Sequence, residues 1–220
     1  MRLHNIHYAT LVLSAVAGYC DTVTFVAGDT IFSAHVTGNF IVFAYQVIKG
    51  GDIQAWIKLI TFPVFIIAVM CGGWLSKKSA EKERLLLTEV LLLLTVGILA
   101  YFYPESNNKG IMYLYVMIVV FALGLQNAFG KLFSKATYGP TTVMTGNVTQ
   151  ASLDIRNLLI HKTIDQVSLI SLKKQAIAIT GFLTGCVLGA LCGKEFGLKA
   201  ILAAAGALLL CYFTESRSNK

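Results

Sequence analysis

Residues 85–103 read LLLTEVLLLLTVGILAYFY, and this stretch decides the class of the protein because Glu89 is its single charged residue. A helix needs about 20 mostly apolar residues to cross a bilayer, at roughly 1.5 Å per residue. Further hydrophobic segments cover residues 8–27, 31–47, 54–75, 111–130, 140–160, 175–193 and 199–214. The sequence therefore predicts an all-α, polytopic membrane helix bundle.

The composition supports the same class. Of the 220 residues, 56% are hydrophobic and 13% are charged, whereas roughly a quarter of the residues of a soluble domain are charged. The net charge of +7 comes from Lys and Arg placed between the apolar runs. Loop charges of this kind set membrane topology and contact anionic lipids, so we expect membrane lipids as partners and no nucleic acid. The length suits one membrane domain, residues 1–220, without an added catalytic domain.

Two of the hydrophobic segments are unusually polar. Segment 31–47 contains His35-Val36-Thr37-Gly38-Asn39-Phe40, and segment 140–160 contains Val143-Met144-Thr145-Gly146-Asn147-Val148. The second segment also carries Asp154 and Arg156, which could not face lipid without a large cost. The shared Thr-Gly-Asn motif suggests that these two segments have the same role.

Further similarities surround the two motifs. Gly18-Tyr19-Cys20-Asp21 precedes the first, and Gly124-Leu125-Gln126-Asn127 precedes the second. Downstream, Ala68 and Gly72 are spaced like Gly185 and Gly189, and small residues four apart let membrane helices approach closely. Three matching features in one order predict an internal duplication, with repeat 1 at residues 1–104 and repeat 2 at residues 105–220.

The distribution of positive charge predicts six spans. If both Thr-Gly-Asn segments enter and leave on one face, only five of the 18 Lys and Arg residues lie outside, namely Lys49, Lys58, Lys109, Lys194 and Lys199. If all eight segments span, the division is ten against eight. The positive-inside rule favours the first arrangement, with both termini and the loop from Lys77 to Arg84 in the cytoplasm. Each repeat then has three spans and an extra interrupted or re-entrant helix, and the second repeat is inverted.

The Thr-Gly-Asn motif has two interpretations. Glycine tolerates unusual backbone angles, and Thr or Asn can cap a helix, so the motif could begin a half-helix whose free N–H donors point into the bundle. Such backbone is tolerated at membrane depth where protein or water covers it. Alternatively, continuous helices run through both motifs and the polar residues serve only packing.

Ionisable residues within the apolar segments are candidate functional groups. Asp21 lies inside the first segment, either as a functional acid or as an interfacial carboxylate, and Asn127 takes its place in the second repeat. His35 could titrate near neutral pH or serve as a hydrogen-bonding core residue. Glu89 lies near basic residues and is expected to reach the membrane surface, and Lys131 is expected to mark a membrane boundary.

Enzyme signatures are missing from the sequence. It has no P-loop, no nucleophile elbow, no dinucleotide fingerprint and no metal-ligand spacing, so we expect no enzyme activity, no metal and no cofactor. The five cysteines lie in apolar segments without a Cys-x-x-Cys pair and are expected to be buried apolar residues.

The two motif regions resemble the YoaK-like family of bacterial inner-membrane proteins of unknown function. Gly18 to Asp21 with Phe25, then Ser33-Ala34-His35-Val36-Thr37-Gly38-Asn39, and Gly124 to Ala128 with Thr145-Gly146, carry this resemblance. The resemblance covers nearly the whole chain. It implies a multi-span protein of the bacterial cytoplasmic (inner) membrane with no established substrate.

We therefore expect a permease or channel for an unidentified small solute, with a pathway between the two repeats. The predicted pathway residues are Asp21, His35, Thr37, Gly38, Asn39, Asn127, Thr145, Gly146 and Asn147. The alternative is an accessory membrane protein that transports nothing and binds a lipid or another membrane subunit. A homo-oligomer is compatible with either hypothesis.

Overall fold

A computed structural model describes residues 3–50, 53–76, 82–104, 108–134, 136–142, 144–160 and 165–218. The described chain forms eight α-helices: α1 (Leu3–Ala27), α2 (Gly38–Ile48), α3 (Ile57–Leu75), α4 (Lys82–Phe102), α5 (Lys109–Leu132), α6 (Met144–Ile160), α7 (Gln166–Phe196) and α8 (Ile201–Ser218). The predicted all-α helix bundle is confirmed for these residues. Two parts of the sequence predictions lie outside the described residues: Val143, just before the second motif, and residues 77–81 of the predicted cytoplasmic loop.

Five apolar helical stretches are long enough to cross a membrane: Ile6–Ala27, Gln54–Leu75, Glu83–Phe102, Lys109–Leu132 and Gln166–Thr214. The last has 49 residues and contains both α7 and α8, which a single 3-10 turn at Gly197–Ala200 separates. The chain thus has the features of a multi-pass membrane protein. In contrast, the 11 residues of α2 reach only about 16 Å, roughly half the hydrocarbon thickness.

Helix α7 begins nine residues before the predicted segment 175–193. Asp165 caps it, because its carboxylate accepts hydrogen bonds from Val167 N (3.1 Å) and Ser168 Oγ (2.6 Å). Ser168 also accepts a bond from Asn157 Nδ2 of α6 at 3.4 Å. The first turns of α7 are therefore polar because they pack on α6, and hydropathy alone does not detect them.

Glycines bring α7 against α1. A Cβ added at Gly181 would lie 2.7 Å from the Leu11 carbonyl oxygen, and one at Gly189 would lie 2.5 Å from the Tyr19 carbonyl oxygen. Gly185, midway between them, abuts the Ala15 backbone. Residues four apart share one face of a helix, so this glycine row lets the two backbones touch. The close packing predicted for this small-residue row is confirmed.

Helices α3 and α5 meet through a similar contact. A Cβ added at Gly72 would lie 2.6 Å from Ala128 Cβ, and one at Gly124 would lie 2.5 Å from Ala68 Cβ. The other packed pairs are α4 with α5, α8 with α1, α4 with α8, α2 with α3, α6 with α7, α1 with α5 and α3 with α4. Exchanging α1–α4 with α5–α8 turns all of these pairs except α3–α4 into members of the same set, since α1–α7 becomes α5–α3 and α4–α5 becomes α8–α1.

Candidate functional site

The buried carboxylate of Asp21 attaches α1 to the connector that leads to α2. Asp21 is 4% exposed. Its Oδ1 accepts hydrogen bonds from the backbone N–H of Ala34 (2.7 Å) and His35 (3.3 Å), and its Oδ2 lies 2.7 Å from His35 Nδ1. A buried carboxylate is tolerated when donors surround it in this way. The structure thus brings together two predicted site residues, and we call them the Asp21–His35 pair.

His35 lies in the connector, outside the apolar helical stretches. About a third of its side chain is exposed, and its ring meets the Phe182 ring of α7 edge-on with centroids 5.4 Å apart. The hydrogen bond to Asp21 raises the pKa of His35 above its ordinary value of 6.5, although burial acts in the opposite direction. The Asp21–His35 pair therefore combines a buried acid with a partly exposed base.

The side chain of Asn39 closes the connector into a loop. It is fully buried, its Oδ1 accepts from Phe32 N at 2.8 Å, and its Nδ2 donates to Phe32 O at 2.8 Å. The second N–H of the same amide donates to Thr61 Oγ1 of α3 at 3.0 Å. Because both amide N–H groups have protein partners, Asn39 holds the loop in this conformation and has no donor left for a solute.

The helix-capping prediction for Thr37 is wrong. Thr37 occupies the N-cap position of α2 but has helical backbone angles and makes no capping side-chain bond. The N–H groups of Gly38, Asn39 and Phe40 donate to backbone oxygens three residues earlier, at 2.8–3.2 Å. The chain already turns helically before α2, so these three N–H groups are not free donors. In this connector the positive φ angles fall instead on Asp29 and Thr30, at 59° and 57°.

The second Thr-Gly-Asn motif lies in the first turn of α6. Asn147 is buried, and its Nδ2 donates to Pro140 O at a longer distance of 3.4 Å. Thr145 and Gly146 are exposed, and a Cβ added at Gly146 would meet nothing within 4 Å. Gly146 therefore does not serve close packing, although the packing interpretation of the motif requires that.

Asn127 binds the segment before the second Thr-Gly-Asn motif, as Asp21 binds the segment before the first. Its Nδ2 donates to Thr142 Oγ1 at 2.7 Å, five residues before Asn147. Likewise, Asp21 binds the backbone of Ala34, five residues before Asn39. In both halves the Asn of the motif also contacts the carbonyl seven residues earlier, that of Phe32 or Pro140.

Sequence reasoning missed a second polar cluster. Lys58, counted above as a loop charge, is fully buried in the first turn of α3. Its Nζ lies 2.8 Å from Asp29 Oδ2, and the Tyr113 hydroxyl donates to the same oxygen at 2.9 Å. A lone Lys at the edge of an apolar segment was a signal for this cluster. The other members, Asp29 just after α1 and Tyr113 of α5, are distant from Lys58 in the sequence and could not be identified from it.

Gln126 was also missed as a buried polar residue. Its Nε2 donates to Leu13 O of α1 at 2.7 Å and to Thr141 Oγ1 at 2.9 Å. It thus links α5 to α1 and to the segment between α5 and α6, which we call the second connector.

The surface position predicted for Glu89 is wrong, because this residue is 1% exposed. Glu89 lies on the face of α4 that packs into the bundle. The basic residues that are near it in the sequence do not bring its side chain to the surface.

Among the described residues, no group of three His, Cys, Asp or Glu side chains could hold a metal ion. Buried polar side chains instead hold two connectors against a bundle of long apolar helices. This arrangement defines a multi-pass helical membrane protein.

The chain belongs to the family described as "Protein of unknown function (DUF1275)", which matches residues 9–214. It is 22% identical over 187 residues to the UPF0700 transmembrane protein YoaK of Bacillus subtilis (strain 168), with 84% of this chain and 83% of that protein covered. No solved structure matches the chain. The predicted resemblance to the YoaK-like family is confirmed.

Proposed function

We propose that the protein is a permease or channel for a small solute, with its pathway between two inverted repeats. The observation that carries this proposal is the correspondence of contacts in the two halves of the chain. Asp21 and Asn127 hold matching connectors, and Asn39 and Asn147 contact matching carbonyls. Inverted repeats with irregular segments inside the membrane are a recurring plan of transporters.

The helix contacts support the duplication in the same way. A Cβ at Gly18 would collide with the Phe182 carbonyl oxygen of α7, and one at Gly124 would lie 3.3 Å from the Phe65 carbonyl oxygen of α3. Phe182 stands three residues before Gly185, and Phe65 stands three residues before Ala68. The same register on two separate helix pairs supports repeats at residues 1–104 and 105–220.

The Asp21–His35 pair would make such a pathway sensitive to protons. A carboxylate and an imidazole 2.7 Å apart can share a proton, and the exposed part of His35 would open the pair to the proposed pathway. Exposed Thr37 and Thr145 suit a water-filled pathway better than a packed helix contact. We place the protein in the bacterial cytoplasmic membrane with both termini inside, among membrane lipids and without an enzyme activity of its own.

Purified protein in liposomes tests the proposal. Stopped-flow light scattering after a glycerol or urea gradient reports solute entry, and an internal pH-sensitive dye reports protons. We expect entry above that of empty liposomes and a loss of proton dependence in Asp21→Asn, which keeps an oxygen for the Ala34 N–H. Asn127→Ala is the matched control, because it removes the corresponding uncharged contact. Fluxes equal to those of empty liposomes, for these probes and for a panel of amino acids and sugars, would contradict the proposal.

A second candidate is the accessory lipid-binding protein, which one observation favours. An apolar cavity of about 540 Å³ lies between α1, α7 and α8, lined by residues such as Leu11, Tyr19 and Leu188. Its lining of aliphatic and small residues suits a lipid acyl chain. Native mass spectrometry tests this alternative: a retained lipid that Ala204→Trp displaces, together with absent solute flux, would favour it over the permease.

A further inference from the structure

Glu89 lies on the fully buried face of α4, inside a stretch that is apolar enough to span the membrane. Its neighbours one turn away on that face, Leu85, Leu86 and Leu93, are at most 2% exposed and belong to the hydrophobic core. Glu89 comes six positions after Glu83, which begins the stretch, and this places it about 9 Å further along the helix. The Glu89 side chain is thus buried on a face of hydrocarbon side chains.

The surroundings of Glu89 do not support a negative charge. Its Oε1 is buried without a hydrogen-bond partner among the described residues, and neither of the two ion pairs found there includes Glu89. Asp21 is the contrasting case, since backbone N–H groups and His35 surround its carboxylate. Removing a carboxylate from water without such partners is so costly that the group takes up a proton or a cation instead.

We propose that Glu89 is a proton-binding site, which carries its proton in this conformation and releases it only when the packing of α4 against α5 and α8 opens. The ligand is a proton taken from water. The proposal is independent of the solute pathway, since it applies equally to a permease and to a lipid-binding protein. Its test therefore uses readouts other than transport.

Among the described residues, no basic side chain forms an ion pair with Glu89. On α1, the buried Cys20 thiol is a titratable side chain near Glu89 that carries no positive charge. Elements packed against α4 carry further titratable side chains, namely Lys58 and Cys71 on α3, Lys109, Tyr113, Tyr115 and Lys131 on α5, Lys199 in the 3-10 turn, and Cys211 and Tyr212 on α8. Of these, buried Lys58 is already paired with Asp29.

A membrane-soluble carbodiimide reports a protonated carboxyl group in an apolar site. The Glu89 hydroxyl proton moves to one carbodiimide nitrogen while a Glu89 oxygen bonds to the central carbon. The O-acylisourea formed rearranges to a stable N-acylurea, and nothing leaves. We expect one adduct on the peptide that contains Glu89 in folded protein at neutral pH, and none in Glu89→Gln. Glu83→Gln is the matched control on the same helix and should keep the adduct.

The pH dependence of stability is the second and deciding readout. A native state that holds a proton which the unfolded state has released loses stability as pH rises, by up to about tenfold in the unfolding equilibrium constant per pH unit. The wild type should therefore lose thermal stability from neutral to alkaline pH relative to Glu89→Gln, which keeps the shape and stays neutral. A difference that does not change with pH, or a Glu89→Gln variant that is unstable at neutral pH, would overturn the proposal. Failure of solute flux would leave it intact.

Discussion

Replacing Asn39 by alanine separates a structural clamp from a solute ligand. The substitution removes three hydrogen bonds of 2.8–3.0 Å from a fully buried amide. Thr61 keeps a partner, because its hydroxyl also donates to Lys58 O at 2.6 Å. The N–H and C=O of Phe32 lose theirs, at about 1–3 kcal/mol for each buried group. We expect Asn39→Ala to lower the free energy of unfolding by about 2–4 kcal/mol, near the lower end because Phe32 is only half-buried.

Asn147→Ala is the matched control for this prediction. It removes a 3.4 Å bond to Pro140 O and a weak 3.8 Å contact to Met144 sulfur, so the expected loss is about 0.5–1.5 kcal/mol. At roughly 2–4 °C per kcal/mol for a chain of this size, Asn39→Ala should melt about 4–16 °C below the wild type. Thermal melts of detergent-purified protein followed by size-exclusion chromatography measure both variants. Equal melting temperatures for the two variants, or wild-type stability of Asn39→Ala, would refute the clamp.

The remaining predictions concern pH, packing and topology. Because Asp21 raises the pKa of His35, this contact stabilises the fold fully below the ordinary value of 6.5 and loses its effect as pH rises through the folded value. The difference in melting temperature between wild type and His35→Gln should therefore shrink with rising pH, and a constant difference would count against it. Gly189→Val should prevent folding, because the added Cβ would lie 2.5 Å from the Tyr19 carbonyl oxygen. Gly146→Val should instead give a monodisperse protein, and similar size-exclusion profiles for the two variants would contradict this prediction. In a cysteine-free background, Ser79→Cys should resist impermeant maleimides added to intact cells, and labelling from outside would exclude a cytoplasmic Lys77–Arg84 loop.

Hydropathy and spacing were sufficient to predict the long helices and the closest helix contacts. A window of apolar residues identifies a spanning helix without knowledge of its neighbours. The four-residue spacing of Gly185 and Gly189 likewise identifies a face that can approach another backbone. Both signals are local in sequence, and both agree with the structure.

Interactions between distant residues could not be predicted in this way. Glu89 and Lys58 both lie near segment ends, where a charged side chain ordinarily reaches solvent. Whether it does depends on the helices that cover it, and those come from other parts of the chain. Two interpretations of the Thr-Gly-Asn motif were open, and the structure places both motifs at the start of a helix rather than inside a continuous one. The roles of the individual residues differ from the prediction. Asn39 binds a loop seven residues upstream, and Thr37 caps nothing because backbone carbonyls already occupy the first N–H groups.

Under the proposed duplication, the two halves of the bundle differ in their charge. Asp21 in the first half corresponds to the neutral Asn127 in the second, and His35 has no titratable equivalent beside Thr142. The other buried charged residues are Lys58 and Glu89 in the first half and Asp154 in the second. Because His35 stays in the first connector and no titratable residue stands beside Thr142, exchanging Asp21 and Asn127 should abolish the pH response of the first connector without creating one in the second.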